Sequence, residues 1–252
     1  MPPGGARLLR DPRWAWYLRR VVDPIDELIR SHGPERVVAA IRPLLSEFRV
    51  DRIESVLDLR LTAPTAVFEN LHDPHNGAAA LRSIEALGLQ EAHVVEAAEP
   101  FSAAPAVTMG CEKWLTLHHY GSVAGAAQEL RARGFSLFAM LPGAARSCAD
   151  LDPETPAALV FGNEHAGLSD EAIGVCDDAV SLPIHGFTQS FNLSVSVALA
   201  MSQVAHRRRQ HLGQSGDLDS EERARLRARW YAMGVRGARA VVERHVSEET
   251  RP

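Results

Sequence analysis

The sequence predicts an α/β fold in which a mostly parallel sheet is flanked by helices, with helical extensions at both ends. Two observations carry this prediction. Short apolar, β-rich segments alternate with helical segments between about residues 65 and 210, and such alternation is typical of parallel sheets. Residues 1–48 and the C-terminal segment instead show helical spacing of apolar residues. The 252 residues allow one large domain with extensions or two small ones.

The first segment, residues 1–48, predicts a helical extension interrupted by prolines. The next segment, "RVDRIESVLDLR" (49–60), predicts an amphipathic helix with Ile53 and Leu57 on its apolar face. Its other face carries three arginines, which are Arg49, Arg52 and Arg60.

The alternating core contains six predicted strands. They are "TAVFEN" (65–70), "AHVVEA" (92–97), "LTLHHY" (115–120), "SLFAML" (136–141), "AALVFG" (157–162) and "DAVSLPI" (178–184). Helices are predicted between them at about 76–87, 123–134 and 169–176, the last with Ser169 as its N-cap. A long helix from about Ser190 to Gln210 closes the core.

A polar linker, "GQSGDLDSEE" (213–222), follows this core and leads into an arginine-rich segment of one or two helices. We therefore predict three parts of the chain: a helical N-terminal extension (1–48), a main domain (49–212) and a helical C-terminal tail (213–252).

Composition excludes several classes of protein. No apolar run approaches the roughly 20 residues of a membrane span, and the N-terminus lacks the features of a signal peptide. The three cysteines are isolated and odd in number, which favours a reducing cytoplasm. The histidines show no metal-ligand spacing such as HExxH, so we expect no metal. The net charge of -5 does not by itself indicate nucleic-acid binding, although local arginine clusters permit it.

Three polar, glycine-bearing segments follow predicted strands, where ligands bind in parallel sheets. They are "ENLHDPHNGAAALRS" (69–83), "LVFGNEHAGLS" (159–169) and "LPIHGFTQSFNLSVSVALA" (182–200). Taken singly, each is also ordinary α/β loop chemistry: Asn76 could be only an N-cap, and Arg82 only a solvated helix residue. The polar start of the long helix, with Ser190 and Asn192 before an apolar run, suggests a first turn that faces a ligand.

Together, the three segments resemble the motifs of the SpoU family of RNA ribose 2'-O-methyltransferases, in the SPOUT (trefoil-knot) superfamily, and more narrowly its TrmH-type branch. The first motif corresponds to Asn70, Pro74, Asn76 and Arg82. The second corresponds to Phe161, Gly162, Glu164, Gly167 and Ser169. The third corresponds to Pro183, Gly186, Ser190, Asn192, Ser194, Val195 and Ala198. Order and spacing also match, and the resemblance covers about residues 49–212.

The resemblance implies a parallel sheet whose C-terminal part is threaded into a trefoil knot, and an obligate homodimer with the site assembled across the interface. It implies S-adenosylmethionine as the cofactor, held by backbone groups of three loops. The implied cofactor-binding residues are Met140, Leu141, Gly162, Leu182, Ile184 and Phe191.

The resemblance also implies methyl transfer to a ribose 2'-oxygen, with Arg82 as the catalytic candidate. Asn76, Glu164, Ser190 and Asn192 would orient the cofactor, the ribose and Arg82. Because a guanidinium keeps its proton in proteins, we interpret Arg82 as a fork that holds a phosphate and stabilises the developing alkoxide. The RNA-binding candidates are Arg49, Arg52, Arg60 and Arg82.

The TrmH-type resemblance indicates a tRNA guanosine in the D-loop as the substrate. The alternatives are 23S rRNA, and an inactive RNA-binding paralogue, against which the retained motif residues argue. "VFGNEHAGLS" is not the GxGxxG of a dinucleotide-binding oxidoreductase, and "TQSFN" is not the GxSxG of a serine hydrolase. A further hypothesis assigns "RWAWYLRR" (13–20) an extra RNA or partner contact through stacking, with packing against the core as its alternative.

Overall fold

The structure of the protein is a computed structural model that describes residues 23–96 and 108–249. The segment 13–20, to which the stacking hypothesis refers, lies outside these residues. The described residues form two compact units. One is Asp58–Leu218, and the other combines the segment that ends at Leu57 with the segment that begins at Asp219.

The unit Asp58–Leu218 contains a seven-stranded sheet in which all neighbouring strands are parallel. The strands are β1 (Thr65–Glu69), β2 (Glu91–Val95), β3 (Thr116–Tyr120), β4 (Ser136–Met140), β5 (Arg146–Ser147), β6 (Ala157–Phe161) and β7 (Asp178–Ser181). Their spatial order is β3-β2-β1-β6-β4-β7-β5.

The α-helices of the described residues are numbered along the chain. They are α1 (Pro24–His32), α2 (Pro34–Ile41), α3 (Glu47–Leu57), α4 (Pro74–Ala86), α5 (Val123–Ala132), α6 (Asp170–Gly174), α7 (Leu193–Leu212), α8 (Ser220–Ala232) and α9 (Ala238–Glu249). None of the described helices is long and apolar enough to cross a membrane.

The central strands are buried on both faces because helices cover both sides of the sheet. Side chains that alternate along the strands separate into two apolar clusters. One cluster joins the sheet to α4 and α7, and its members include Phe68, Leu81, Val94, Leu159 and Met201. The other joins the sheet to α5 and α6, and its members include Val67, Val95, Leu130, Val160 and Ala172. The predicted fold class, a parallel sheet flanked by helices, is confirmed.

Two details differ from the sequence-based prediction. The two-residue edge strand β5 was not predicted, because it is too short to carry an alternation of apolar and polar residues. The long helix α7 begins at Leu193, three residues after the predicted start at Ser190. Asn192 is its N-cap, and the Asn192 side chain accepts a hydrogen bond from the Ser194 backbone N–H at 2.9 Å. Ser190 therefore lies in the loop before the helix.

The second unit combines helices from both ends of the chain. Helix α3 buries Val50, Ile53 and Leu57, and its Glu54 carboxylate binds Arg223, Arg227 and Tyr231 of α8. The sequence-based division placed residues 49–57 in the main domain and treated the two ends as separate extensions. The observed units differ because α3 is held to α8 by both apolar packing and ion pairs.

Candidate active site

A cavity of about 460 Å³ lies at the carboxyl ends of β4, β6 and β7. All six predicted cofactor-binding residues line it, namely Met140, Leu141, Gly162, Leu182, Ile184 and Phe191. Three of the predicted catalytic residues, Glu164, Ser190 and Asn192, also line it. Such a mixture of apolar side chains with a few polar groups is typical of small-molecule sites. Its volume lies within the usual range for such sites, about 300–1,000 Å³.

The second motif forms a tight loop directly after β6. Asn163 and Gly167 exchange two backbone hydrogen bonds, of 3.0 and 2.9 Å. A Cβ atom at Gly162 would overlap the backbone of Gly167 and Leu168. Glycine at position 162 therefore lets the loop fold back over the strand end and form one wall of the cavity.

Two residues that sequence reasoning did not single out anchor this loop. The Glu69 carboxylate, which is 4% exposed, accepts hydrogen bonds from the backbone N–H and the hydroxyl of Ser169. The Asn163 side-chain amide donates to the Asn70 carbonyl at 2.7 Å. A charged residue directly after the apolar residues 66–68 of β1 was the signal that could have identified Glu69.

Glu164 brings a negative charge to the cavity. One carboxylate oxygen, Oε2, accepts a hydrogen bond from the His72 backbone N–H at 3.2 Å. The other oxygen, Oε1, is buried and has no hydrogen-bond partner among the described residues. A buried, unpaired carboxylate oxygen is costly unless a donor or a cation compensates it. The site thus fits a cationic ligand such as S-adenosylmethionine.

The first and third motifs meet through two asparagines. The Asn192 side-chain amide donates to the Asn76 side-chain oxygen at 3.0 Å, across 116 residues of sequence. The Asn192 oxygen meanwhile accepts from both the backbone N–H and the hydroxyl of Ser194. Asn76 lies in the first turn of α4 and is not part of the cavity lining given by the described residues. The hydrogen bond nevertheless ties α4 to the rim of the cavity.

Arg82 is exposed on α4, although its neighbours Ala78 and Leu81 on the same helix are buried. Its Nη1 atom is 3.5 Å from the Met109 sulfur. Among the described residues, Arg82 is not part of the cavity lining. A single chain therefore brings the other predicted catalytic residues to the cavity or to its rim, but leaves Arg82 on the surface of α4.

The predicted RNA-binding arginines differ in their surroundings. Arg60 is 1% exposed, and its guanidinium donates to the Glu85 carboxylate at 2.7 Å and to the Leu89 carbonyl at 3.1 Å. The prediction that Arg60 binds RNA is therefore wrong, because this side chain is used inside the fold. Arg49 is half-buried, whereas Arg52 is exposed.

Comparison with known proteins places this site in a family. The model of the SpoU rRNA methylase family matches residues 64–202, which is more than half of the chain. The chain belongs to this family. The match spans β1 to the middle of α7, so that it includes all three motifs around the cavity.

Individual SpoU-family relatives match over a longer range. The chain is 36% identical over 200 residues to a tRNA (guanosine(18)-2'-O)-methyltransferase of Borreliella burgdorferi, covering 77% of this chain and 90% of that protein. It is 35% identical over 164 residues to the enzyme of the same name from Thermus thermophilus, covering 65% of this chain and 84% of that protein.

Solved structures of the SpoU family resemble the fold. A TrmH/SpoU tRNA modifying enzyme of A. aeolicus aligns with a TM-score of 0.67 and 25% identity, over 75% of this chain and 98% of that one. The SpoU methyltransferase AviRb of Streptomyces viridochromogenes, solved in complex with AdoMet, aligns with a TM-score of 0.53 and 25% identity. That alignment covers 65% of this chain and 64% of AviRb.

Proposed function

We propose that this protein is an S-adenosylmethionine-dependent tRNA guanosine 2'-O-methyltransferase, acting at position 18, the position in the names of its relatives. The observation that carries the proposal is the convergence of three distant loops on one cavity. Two of these loops contain the second and third SpoU motifs, and the hydrogen bond between Asn192 and Asn76 ties the first motif to the third.

The cofactor would occupy the cavity at the ends of β4, β6 and β7. Backbone groups near Met140, Gly162 and Leu182 would bind the adenosine, and the unpaired Glu164 oxygen would stabilise the positive charge. Bound S-adenosylmethionine supplies an electrophilic methyl group on a cationic sulfur. The knot that the resemblance implies would be formed by the loops that enclose this cavity.

The residues of the chain would align the ribose and stabilise charge. A ribose hydroxyl is a poor nucleophile, so that its orientation and the loss of its proton both limit the reaction. Ser190 and Asn192 at the cavity would position the ribose, and Asn76 would hold Asn192. Arg82 would bind a phosphate of the target nucleotide bidentately and stabilise the developing alkoxide.

A homodimer would complete the site. Helix α7 and the loop before it expose apolar side chains at helical spacing, Phe191, Val195 and Leu199, with exposed fractions of 36, 44 and 39%. An exposed apolar row of this kind indicates a protein interface. Since Phe191 also lines the cavity, a second copy bound to this row would lie beside the cavity, where it could contribute its own Arg82. This account explains why Arg82 is absent from the cavity of one chain.

The experiment is a methyl-transfer assay with labelled S-adenosylmethionine and an unmodified tRNA transcript. We expect transfer by the unaltered protein and loss of transfer by Arg82→Ala, with cofactor binding retained. A 23S rRNA fragment in parallel distinguishes the alternative substrate. Transfer to neither RNA, together with retained cofactor binding, would contradict the proposed substrate, and loss of cofactor binding would contradict the proposed chemistry.

A further inference from the structure

A cluster of three potential metal ligands lies on the outer strands β2 and β3, away from the cavity. His93 and His118 are direct neighbours in the register of the two strands. Glu91 precedes His93 by two residues and therefore lies on the same face of the sheet. The ligand atoms of the three residues all lie within 4.8 Å of one another.

Two of the three residues are buried, and two nitrogen atoms of the cluster lack hydrogen-bond partners among the described residues. His93 is fully buried and Glu91 is 8% exposed. The Nε2 atoms of His93 and His118 are both buried without a hydrogen-bond partner among the described residues. They lie 3.8 and 3.6 Å from the same Glu91 oxygen, Oε2. These separations are too long for hydrogen bonds. The two imidazole rings stack on each other, with centroids 4.7 Å apart and planes inclined by 10°.

The surroundings of His93 favour a free Nε2 lone pair. Its Nδ1 atom lies 3.0 Å from the Tyr120 hydroxyl oxygen. The hydroxyl oxygen can accept a hydrogen bond from Nδ1–H when that nitrogen carries the proton. A metal-binding histidine usually donates its other N–H to such a second group.

Glu91 carries the only negative charge among the three ligands, and Arg133 partly compensates it. The Arg133 guanidinium lies 2.6 Å from Glu91 Oε2. A carboxylate that binds a metal through one oxygen often accepts a hydrogen bond at the other, so that Arg133 and an ion can share Glu91 after a small rotation of the carboxylate. Glu129, 3.9 Å from His118 Nδ1, adds a second negative charge nearby.

We propose that Glu91, His93 and His118 form a binding site for a divalent transition-metal ion of the Zn²⁺ type. Tetrahedral coordination with bonds of about 2.0–2.1 Å places ligand atoms roughly 3.4 Å apart. The two Glu91–histidine separations of 3.8 and 3.6 Å need to close by a few tenths of an ångström. One of the stacked imidazoles, of which His118 is the more exposed, must also turn so that both nitrogens face the ion. Two imidazoles and one carboxylate suit Zn²⁺, and His118, which is 27% exposed, lets water reach the fourth position.

This site is independent of the proposed methyl transfer and would act on stability. Strands β2 and β1 separate β3 from β6, where the cavity begins. An ion would cross-link the edge strand β3 to β2. The expectation that the chain binds no metal relied on the absence of short ligand motifs, and these three ligands come together only through the pairing of β2 with β3.

The test is a titration of chelator-treated, full-length protein with Zn²⁺, followed by calorimetry and thermal unfolding. We expect uptake of one equivalent and a rise in Tm. At free Zn²⁺ of 100 times Kd, the unfolding equilibrium constant should fall about 100-fold. His118→Gln should abolish both effects. The matched control is His119→Gln, because His119 is the adjacent residue and its side chain is 46% exposed.

Two results would overturn the proposal. One is the absence of saturable Zn²⁺ binding. The other is equal binding by His118→Gln and the unaltered protein, which would assign the ion to other histidines. If His118→Gln does not fold, the visible absorption spectrum of Co²⁺ bound to the unaltered protein tests the site instead. An intense visible absorption typical of tetrahedral Co²⁺ supports the site, and its absence contradicts it.

Discussion

The Asn192 side-chain amide donates a hydrogen bond to the Asn76 side-chain oxygen at 3.0 Å, and so connects two motifs that are 116 residues apart. The same Asn192 caps α7 through the Ser194 backbone N–H. One side chain therefore stabilises a helix and also fixes the position of α4, which carries Arg82. These two roles can be separated by substitution.

We expect Asn76→Ala to impair catalysis more than stability. It removes the cross-motif bond and leaves the cap of α7 intact, so that the free energy of unfolding should change by less than about 1.5 kcal/mol. Loss of alignment should lower the single-turnover rate of methyl transfer by about 100-fold. Asn192→Ala should show the same rate loss and a further destabilisation of about 1 kcal/mol, because it also removes the cap.

Asn192→Ser provides the control for this pair, because serine retains the cap but cannot reach Asn76 with an amide donor. It should match Asn76→Ala in both rate and stability, because both variants lose the bond to Asn76 and keep the cap. Rapid-quench kinetics and chemical denaturation measure the two quantities. A normal rate for Asn76→Ala would show that the hydrogen bond does not position the site.

Gly162→Ala should abolish cofactor binding, since the new methyl group would overlap the backbone of Gly167 and Leu168. The loop would have to move away from the end of β6, and this movement would deform the cavity. Gly186→Ala is the matched control from the third motif, because a Cβ atom there has no neighbour within 4 Å. Calorimetric titration with S-adenosylmethionine measures the cofactor affinity of both variants. Equal affinity in both variants would contradict the role of Gly162.

Substitution of Arg60 should lower the stability of the protein, whereas substitution of Arg52 should leave it nearly unchanged. Arg60→Met breaks a buried ion pair with Glu85 and should destabilise the protein by about 3 kcal/mol. Arg52→Ala, at an exposed position, should change stability by less than about 0.5 kcal/mol.

The effects on RNA binding should be the reverse, with the larger effect for Arg52→Ala. Arg52→Ala should weaken tRNA binding and reduce its salt slope by about 1, as expected for the loss of one phosphate contact. Folded Arg60→Met should bind tRNA normally. Filter binding at several salt concentrations measures both. A reduced salt slope for Arg60→Met would restore Arg60 as an RNA contact.

The terminal helices should lose stability in acid through Glu54. Hydrogen bonds from Arg227, Tyr231 and Arg223 lower the pKa of Glu54 below its ordinary value. Because the pKa is lower in the folded state, the unfolded state takes up the proton first as the pH falls. The stabilisation is complete above the unfolded pKa of about 4.3 and is lost as the pH falls through the folded pKa.

Glu54→Gln should remove this part of the pH dependence. We expect the free energies of unfolding of Glu54→Gln and the unaltered protein to differ at neutral pH and to become equal in acid. Denaturation curves recorded over this pH range measure both. A difference in free energy of unfolding that does not change with pH would indicate that Glu54 has the same pKa in the folded and unfolded states.

Sequence reasoning predicted the order of the core elements because each carries a local signal. Strands such as "AALVF" are continuous apolar runs, and Ser169 caps α6 as expected. The start of α7 was less accurate, since Ser190 and Asn192 are both good N-cap residues and only the observed bond to Ser194 distinguishes them. The grouping of α3 with α8 could not be predicted, because their residues are far apart in sequence.

Sequence reasoning also predicted only part of the site. The cavity-lining residues came from the family resemblance, through two of its motifs and the loop that follows β4. The anchoring role of Glu69 and the burial of Arg60 depend on partners 100 and 25 residues away. The sequence predicted one helix over 49–60, but α3 ends at Leu57. Arg60 lies beyond the helix, so that its burial could not be read from the helical pattern.

The measurement that most directly tests the central claim is the position and chemistry of the transferred methyl group. Unmodified tRNA is incubated with the protein and labelled S-adenosylmethionine, and the product is hydrolysed with alkali. We predict one labelled dinucleotide that resists alkali, because a 2'-O-methyl group blocks cleavage, and its methylated nucleoside should be the guanosine at position 18 named for the relatives. Label in an alkali-sensitive, base-methylated nucleotide would contradict the account.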